Sequence, residues 1–282
     1  MVHRARPHIL IALILAALAF GGCWLTPAIP YAQLREERNA MQHRREVRAA
    51  DMSKECYRMG VAALKSMDRG RALACFSRAA ALEPSWMLAH LSAAVLHPVV
   101  DNNIPAALEH ARRAAELAPN NPRAHLTWGT LLLEAGKCPE AFAALERAVE
   151  LRPSVDEGHY RLARAAACGG QPQRAIDEYL YLMARHPGAT AYYLDLALLY
   201  EREGMLQEAG DILEKALLVS GYSRVLLLQV RNFYARTGQN KHMQEIDEEL
   251  QRRFPAEKKR KMRPLRPSKG RKAPKRNLRR RY

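Results

Sequence analysis

Three histidines, His90, His125 and His159, have the type and spacing that come closest to a chemical site, recurring at intervals of 35 and 34 residues. Imidazole is a common zinc ligand, so a regular series of histidines could indicate a metal site. If the interval is a structural repeat, however, the three residues lie on separate packed helices, whose axes are ~8–10 Å apart. Two ligands of one zinc ion must each lie about 2 Å from it. We therefore predict partly buried histidines that replace core aromatic residues, and no metal site.

The five cysteines, Cys23, Cys56, Cys75, Cys138 and Cys168, are far apart and include no C-x-x-C pair. This spacing argues against a zinc ribbon, a thioredoxin-type redox site and a disulfide scaffold. Isolated thiols occur as small buried hydrophobic side chains in many folds, so the cysteines say little about the compartment.

The sequence contains none of the common catalytic motifs. There is no G-x-x-x-x-G-K-[ST], no H-E-x-x-H, no G-x-S-x-G and no glycine-rich dinucleotide turn. Acidic residues are spread over solvated helix faces, as in DEYLYLMARH, and no nucleophile is paired with a base. The sequence predicts a protein without enzymatic activity, cofactor or small-molecule substrate. An enzyme would need a buried acid–base pair.

The net charge of +16 is concentrated at the two ends of the chain. Residues 256–282 contain fourteen Lys and Arg and one Glu, and residues 1–50 contain seven Arg and three Glu. The middle of the chain, residues 51–255, is therefore almost neutral. With 48% hydrophobic residues, the chain has enough apolar side chains for a sizeable core.

The middle of the chain repeats with a period of 34 or 35 residues. The period is marked by Pro84, Pro119, Pro153, Pro187 and Pro255, with Gly221 in the one missing place. Small and large residues recur before each mark, for example Gly129, Ala141 and Leu145 before Pro153. A small residue lets two helix backbones approach closely and a large one fills the groove beside it, while a proline ends the unit because it cannot continue the helix that it follows.

This pattern resembles the tetratricopeptide repeat (TPR), a helix–turn–helix unit with a small residue in each helix and a closing proline. The resemblance covers residues 53 to about 255. It implies an all-α protein whose units stack into a right-handed superhelical solenoid, because single units cannot bury their apolar faces. The six predicted units span residues 53–86, 87–121, 122–155, 156–189, 190–223 and 224–255. The flanking segments are a signal peptide or membrane anchor (1–25), a charged helical spacer (26–52) and a disordered basic tail (256–282).

The second unit departs from the pattern through one extra residue in HPVVDNNIPAALEH. We expect Pro98 to end its first helix early, and Asp101, Asn102 and Asn103 to form an irregular loop. Pro105 would then open the second helix.

The sixth unit places Arg231 and Met243 where small residues belong, and its second helix is polar. We interpret this as the solvated outer face that a terminal repeat requires. Cys138 and Cys168 lie near the turns of adjacent units and could form a disulfide in an oxidising compartment, but we do not expect one.

In the TPR family the fifth position of each first helix faces a concave groove. The resemblance therefore implies an apolar ladder of Tyr57, Leu91, Leu126, Tyr160, Leu194 and Leu228, with nearby basic residues Lys54, Lys65, Arg123, Arg164, Arg202 and Arg236. Family members that grip a terminal carboxylate use Lys and Asn at such positions, so that specificity does not carry over to the apolar ladder. We expect a protein partner to place there an amphipathic helix or extended segment with some acidic residues. The alternative is that several of these side chains pack against the next unit.

The N-terminal segment begins MVHRARPH and continues with an apolar run from Ile9 to Leu25. A basic start before an apolar stretch of this length is typical of a secretory signal, and the run barely reaches the length needed to span a bilayer. Gly21 and Gly22 before Cys23 resemble a bacterial lipobox, in which the cysteine is lipidated, although Phe20 stands where Leu is usual. The flanking arginines do not give a clean orientation. We predict export, with a lipoprotein favoured over an uncleaved signal anchor.

The C-terminal tail, residues 256–282, has few apolar residues and is predicted to be disordered. Its basic clusters include Lys258, Lys259, Arg260, Lys261, Arg279, Arg280 and Arg281. Such clusters attract anionic lipid headgroups and would neutralise nucleic-acid phosphates if they met any. A merely solubilising role is the third alternative.

Together these features predict a membrane-tethered, non-enzymatic TPR scaffold that binds a segment of a protein partner, as in bacterial envelope assembly. The arrangement is similar to that of bacterial lipoproteins that help assemble pili or secretion channels, a likeness of architecture alone. The alternative is a cytoplasm-facing TPR adaptor whose basic tail binds RNA or DNA.

Overall fold

The computed structural model describes residues 31–255, and all its regular elements in that range are α-helices. The predicted signal or anchor segment, Cys23 and the basic tail lie outside the described residues. The twelve helices within residues 31–255 are α1 Tyr31–Lys65, α2 Arg69–Leu82, α3 Met87–Val100, α4 Ile104–Leu117, α5 Pro122–Glu134, α6 Cys138–Leu151, α7 Asp156–Cys168, α8 Pro172–Arg185, α9 Thr190–Arg202, α10 Leu206–Val219, α11 Arg224–Arg236 and α12 Asn240–Arg253.

The chain divides into two compact units, one ending at Arg161 and the other beginning at Leu162. In the first unit α1 packs against α2, α3 against α4 and α5 against α6, and consecutive pairs also pack together. In the second unit α9 packs against α10 and α11 against α12, while α8 contacts α9. The predicted all-α class and helix–turn–helix pairing are confirmed for the described residues.

In the pairs α1–α2 and α5–α6, a glycine on one helix meets a large side chain on the other. A Cβ atom on Gly129 of α5 would lie 2.5 Å from Cγ of Leu145 on α6, and one on Gly60 of α1 would lie 2.7 Å from Cε1 of Phe76 on α2. Both large side chains are almost completely buried. The small-plus-large pattern of the sequence therefore corresponds to direct contact between helices.

Helix α1 is longer than the sequence pattern predicts. The described part of the predicted spacer (26–52) and the first helix of the first unit form one helix without a break from Tyr31 to Lys65. No proline or glycine occurs between Tyr31 and Gly60, so nothing in this stretch ends a helix. Residues 34–48 are exposed, so this stretch of α1 lies in solvent.

The prediction that Pro98 ends α3 early is wrong, because α3 continues through Pro98 to Val100. Proline removes one hydrogen bond and crowds the preceding turn, and here this affects only the last turn of the helix. Asn102 then adopts a left-handed conformation with φ 53°, and the side chain of Asn103 caps α4 by accepting a hydrogen bond from Ala106 N–H.

The turn inside each helix pair contains one residue in the left-handed backbone conformation. It is Met67, Asn102, Gly136, Gly170, Gly204 and Gly238 in turn, with φ between 53° and 77°. Glycine adopts this conformation without steric cost and asparagine tolerates it. The extra residue of the second unit therefore leaves the turn geometry intact.

The last helix pair is held differently from the others. Arg231, which stands where the repeat has a small residue, places Nε 2.5 Å from Oδ1 of Asp247, which stands where the repeat has a large one. None of the residues of α12 is buried. An ion pair at the surface thus replaces the small-plus-large contact, which agrees with a solvated terminal repeat.

We predict that Gly129→Ala destabilises the protein. The added methyl group must displace the branched carbon of Leu145, which costs about 1–3 kcal/mol, against a gain of up to about 1 kcal/mol in helix propensity. A net loss of about 1–2 kcal/mol is expected in chemical unfolding. Gly188→Ala is the matched control, since nothing lies within 4 Å of its Cβ position. Equal stability of the two variants would contradict the interlock.

Candidate functional site

The first unit contains a hollow of about 290 Å³ on the faces of α3, α5 and the start of α7. Its apolar part includes Val95 and Val99 of α3 and Leu126 of α5. Val95 is 46% and Val99 59% exposed, which is high for valine side chains that lie next to each other along one helix face. We call this the first hollow.

The polar part of the first hollow lies on α5 and α7. Thr127, Thr130 and Glu134 line it from α5. Glu157 and Arg161 line it from α7 and form an ion pair with 2.6 Å between Arg161 Nε and Glu157 Oε1. The first hollow is therefore an apolar surface with hydroxyl groups along its edge and the carboxylate of Glu134, which has no ion pair within residues 31–255.

The second unit contains a hollow of about 390 Å³ between α9 and α11, which we call the second hollow. Leu194, Leu198 and Phe233 are among its apolar residues, and Leu198 is 61% exposed. Arg236 Nε and Nη2 lie 3.1 and 2.7 Å from the two carboxylate oxygens of Glu201. The hydrogen bond to Glu201 raises the pKa of Arg236.

The predicted apolar ladder is only partly available to a partner. Leu126 and Leu194 line the two hollows, and Leu228 is 44% exposed. Leu91 is only 3% exposed and packs against Ala114, Ala115 and Ala124. The ladder prediction is therefore wrong for Leu91, because its side chain belongs to the core.

The two predicted tyrosines differ from the exposed leucines. Tyr57 is half-buried, with its ring centroid 5.0 Å from that of Phe76 and 4.7 Å from that of Trp86. This aromatic contact places Tyr57 at the edge of the core of the first unit. It agrees with the alternative prediction that some ladder side chains pack within the protein. Tyr160 is half-buried on α7.

The predicted groove arginines fall into two groups. Arg202 contacts the backbone carbonyl of Ala167 and lies 3.3 Å from Glu203, while Arg236 is paired with Glu201. These two arginines therefore have contacts within the protein, and their side chains remain partly exposed. Arg123 and Arg164 are exposed, as Arg202 and Arg236 are.

Exposed apolar residues also occur one helical turn after the ladder position, where the sequence pattern did not predict a binding surface. Val61, Val95 and Leu198 occupy this ninth position of their units and are 36%, 46% and 61% exposed. These residues could have been predicted from the sequence, because each is an apolar residue four positions after a ladder residue and residues four apart lie on the same helix face.

The three periodic histidines bind the backbone of the unit before them. Each places Nε2 close to the carbonyl oxygen of the closing proline six residues earlier, and a tyrosine hydroxyl does the same in the next unit. The four pairs are His90 with Pro84 (3.2 Å), His125 with Pro119 (2.9 Å), His159 with Pro153 (2.8 Å) and Tyr193 with Pro187 (3.1 Å). A carbonyl only accepts, so Nε2 carries the proton. Within residues 31–255, no group of three His, Cys, Asp or Glu side chains could hold a metal ion.

His90 also belongs to a histidine cluster between α3 and α4. Because its Nε2 donates to Pro84, its Nδ1 accepts a hydrogen bond from Nδ1 of His110, at 3.0 Å. The His97 ring stacks on His110 with centroids 5.5 Å apart, and its Nδ1 lies 3.1 Å from Asp101. Burial first, and then repulsion from the charged forms of His90 and His97, lowers the pKa of His110 to about 4.

The cysteines fall into two classes. Cys138 and Cys168 are each disulfide-bonded, so the expectation of no disulfide at these residues is wrong. Cys56 and Cys75 are free thiols with partly buried side chains.

None of the helices formed by residues 31–255 is both long enough and apolar enough to cross a membrane.

The family is shown by sequence. The tetratricopeptide repeat model matches residues 57–122, 126–182 and 160–222, more than half of the chain. The chain belongs to the tetratricopeptide repeat family. No curated protein matches the sequence.

Solved structures share the fold at low sequence identity. YrrB, described as a TPR protein with an unusual peptide-binding site, matches with a TM-score of 0.57 and 21% identity over 66% of this chain and 97% of its own. PilW, described as a widely conserved type IV pilus biogenesis factor, matches with a TM-score of 0.56 and 20% identity, over 73% of this chain and 95% of its own. MamA matches with a TM-score of 0.56 and 20% identity, over 61% of this chain and 93% of its own. At these identities the likeness concerns the fold alone.

We predict that the histidine cluster destabilises the protein in acid. The pKa of His110 lies at about 4 in the folded chain and near 6.5 in the unfolded chain, so the unfolded chain binds the proton first. This contribution is fully present above about pH 6.5 and is lost as the pH falls towards 4. His90 acts in the same direction, because burial lowers its pKa; Arg113 lowers it further, whereas Glu109 opposes the change.

The measurement is the thermal unfolding midpoint across this pH range for the natural protein and for His110→Gln. The variant keeps a hydrogen-bond donor and should lose less stability on acidification. His43→Gln, at an exposed residue of α1, is the matched control and should follow the natural protein. Parallel curves for all three proteins would contradict the prediction.

Proposed function

We propose that this protein is a non-enzymatic scaffold that holds an extended or helical segment of a protein partner on the inner faces of its first helices. The observation that carries the proposal is the exposure of Val95 and Val99 in the first hollow and Leu198 in the second. Contiguous exposed apolar surface is typical of interaction sites. Both hollows combine apolar area with a few polar groups, as helix-binding and strand-binding grooves do.

The comparisons support the proposal at the level of the fold. TPR units commonly bind partners on their concave surface, and YrrB is described as having a peptide-binding site. The pairing of α11 with α12 beyond the matched residues supports a sixth unit in this chain. No motif of the sequence supports catalysis, so binding is the activity that we propose.

We further propose that the scaffold is exported and tethered to a membrane through the segment that ends near Cys23. The basic start, the apolar run and the two glycines before Cys23 support this. The disulfide-bonded Cys138 and Cys168 support an oxidising compartment. The likeness of the fold to PilW makes envelope assembly the working role, with the basic tail held at an anionic envelope surface.

The second candidate is a cytoplasm-facing adaptor whose tail binds RNA or DNA. It is favoured by a single feature, the fourteen Lys and Arg in residues 256–282. Binding by phosphate neutralisation would fall steeply with salt and disappear with the tail. It also needs the opposite orientation in the membrane, so topology separates the two candidates.

Site-specific photo-crosslinking tests the binding surface. A photoreactive amino acid at Val95 or Leu198 should give protein adducts in cells, because both side chains line hollows and are exposed. The matched control is Met67, which is 73% exposed but lies in the turn between α1 and α2. If Met67 gave adducts with the same proteins in the same yield, binding on the inner faces would be contradicted.

Intact mass and protease accessibility in membrane fractions test the tether. The expected result is a mature chain that begins at lipidated Cys23 and has its tail outside the cytoplasm. A full-length chain with a protected tail would contradict export and favour the nucleic-acid candidate.

A further inference from the structure

A second cavity of the first unit opens beside the first hollow and shares Leu126 with it. It has a volume of about 290 Å³ and lies where the start of α5, the end of α6 and the start of α7 meet. Pro122, Leu126, Ala148 and Val155 form its apolar part. Arg123 and Arg152 are its only charged lining residues, and we call it the arginine pocket.

The two guanidinium groups of the arginine pocket have no acidic residue beside them in its lining. Among the described residues, neither Arg123 nor Arg152 has an ion pair, and no acidic side chain lines the pocket. Glu157, on the adjoining first turn of α7, is bound to Arg161 at 2.6 Å. The pocket therefore combines apolar walls with two positive charges and an unmet preference for an anion.

Both arginines leave the backbone at points that hydrogen bonds hold in place. The side chain of Asn121 accepts hydrogen bonds from the backbone N–H groups of Arg123 and Ala124 at the start of α5. The N–H of Arg152 donates to Ala148 and Val149 at the end of α6. The origins of the two side chains are thus fixed relative to the apolar walls.

We propose that the arginine pocket anchors two neighbouring residues of the bound partner segment, one apolar and one acidic. The apolar side chain enters between Leu126, Ala148 and Val155, and the Asp or Glu carboxylate lies between the guanidinium groups of Arg123 and Arg152. Because the pocket shares Leu126 with the first hollow, the rest of the segment continues over Val95 and Val99. The inference rests on the proposed function and adds the direction and chemistry of the segment.

The charges at the two ends of this surface give the segment a direction. The arginine pocket is positive, whereas the far edge of the first hollow carries Glu134 without an ion pair among the described residues. A segment that places its carboxylate at Arg152 and a basic or neutral residue near Glu134 matches both ends. The reverse placement brings like charges together and is disfavoured.

Selection from random peptides displayed on phage tests this chemistry. The full-length protein should enrich sequences in which Asp or Glu is adjacent to Leu, Ile, Val or Met. With Arg123→Gln and Arg152→Gln together, the acidic preference should disappear. Each single substitution should weaken a selected peptide by roughly tenfold, as expected for one lost charge-assisted contact. Arg147→Gln is the matched control, because Arg147 on the same helix is already held by Glu150.

The outcomes separate this inference from the proposed function. Peptides that bind in the first hollow without an acidic residue, or equally well to the double variant, would overturn the arginine pocket and leave the groove intact. Failure of Val95→Glu to weaken any selected peptide would instead overturn the groove.

A small probe tests the pocket without any peptide. The 4-methylpentanoate ion carries a leucine-like chain and a carboxylate, and 4-methylpentanamide is its neutral match. In titrations followed by backbone amide NMR, the ion should shift signals of Arg123, Leu126 and Val155 and bind at least several-fold more tightly than the amide. Equal binding of the two compounds, or no shift at these residues, would overturn the inference.

Discussion

The close contact between a glycine of one helix and a large side chain of its partner underlies the other features of the chain. Gly129 against Leu145, and Gly60 against Phe76, leave no room for a single methyl group. Burial of one such large side chain contributes about 1.5–3 kcal/mol, and the contact also sets how the first helix is rotated about its axis. That rotation determines which residues face the core and which face outward. On α3 the corresponding small residue is Ala94, which packs with Ala107 and Ala111 of α4, while Val95 and Val99 of the same helix remain exposed.

A second set of contacts joins each unit to the one before it. These are the hydrogen bonds to the closing prolines from His90, His125, His159 and Tyr193. Each closing proline lies just after a helix end, so no hydrogen bond within a helix uses its carbonyl, which needs another donor. A side chain at the fourth position of the next helix supplies the missing donor. Imidazole and phenol both reach the carbonyl, which explains why either histidine or tyrosine can stand at this position.

The repeat could be predicted from the sequence because its determinants are local and periodic. Pro153, the small residues and Gly129 recur in register, and each has one dominant structural consequence. The continuation of α3 through Pro98 could not be predicted in the same way, since a proline near a helix end removes too little to stop the helix. The left-handed turn at Asn102 was within reach of the sequence, because asparagine tolerates that conformation.

The candidate site was harder to predict than the fold. Leu91 and Leu126 share a position in the repeat, yet Leu91 is covered by the alanine-rich α4 and Leu126 lies between two cavities. Arg236 and Arg123 are both basic residues near the groove, yet only Arg236 has Glu201 within reach, 35 residues earlier. Such differences depend on pairings between neighbouring units, which the residue types at one position do not specify.

The unbroken helix α1 has a geometric consequence for whatever precedes the repeats. Every residue in a helix advances it by about 1.5 Å and turns it by about 100°. Helix α1 runs without interruption from the exposed stretch before Asp51 into the packed first pair. The direction in which Tyr31 points around the helix axis is therefore fixed relative to the first hollow. Removing a single residue from the exposed part would rotate the binding face by more than a quarter turn relative to Tyr31. The length of this segment therefore sets an orientation as well as a distance.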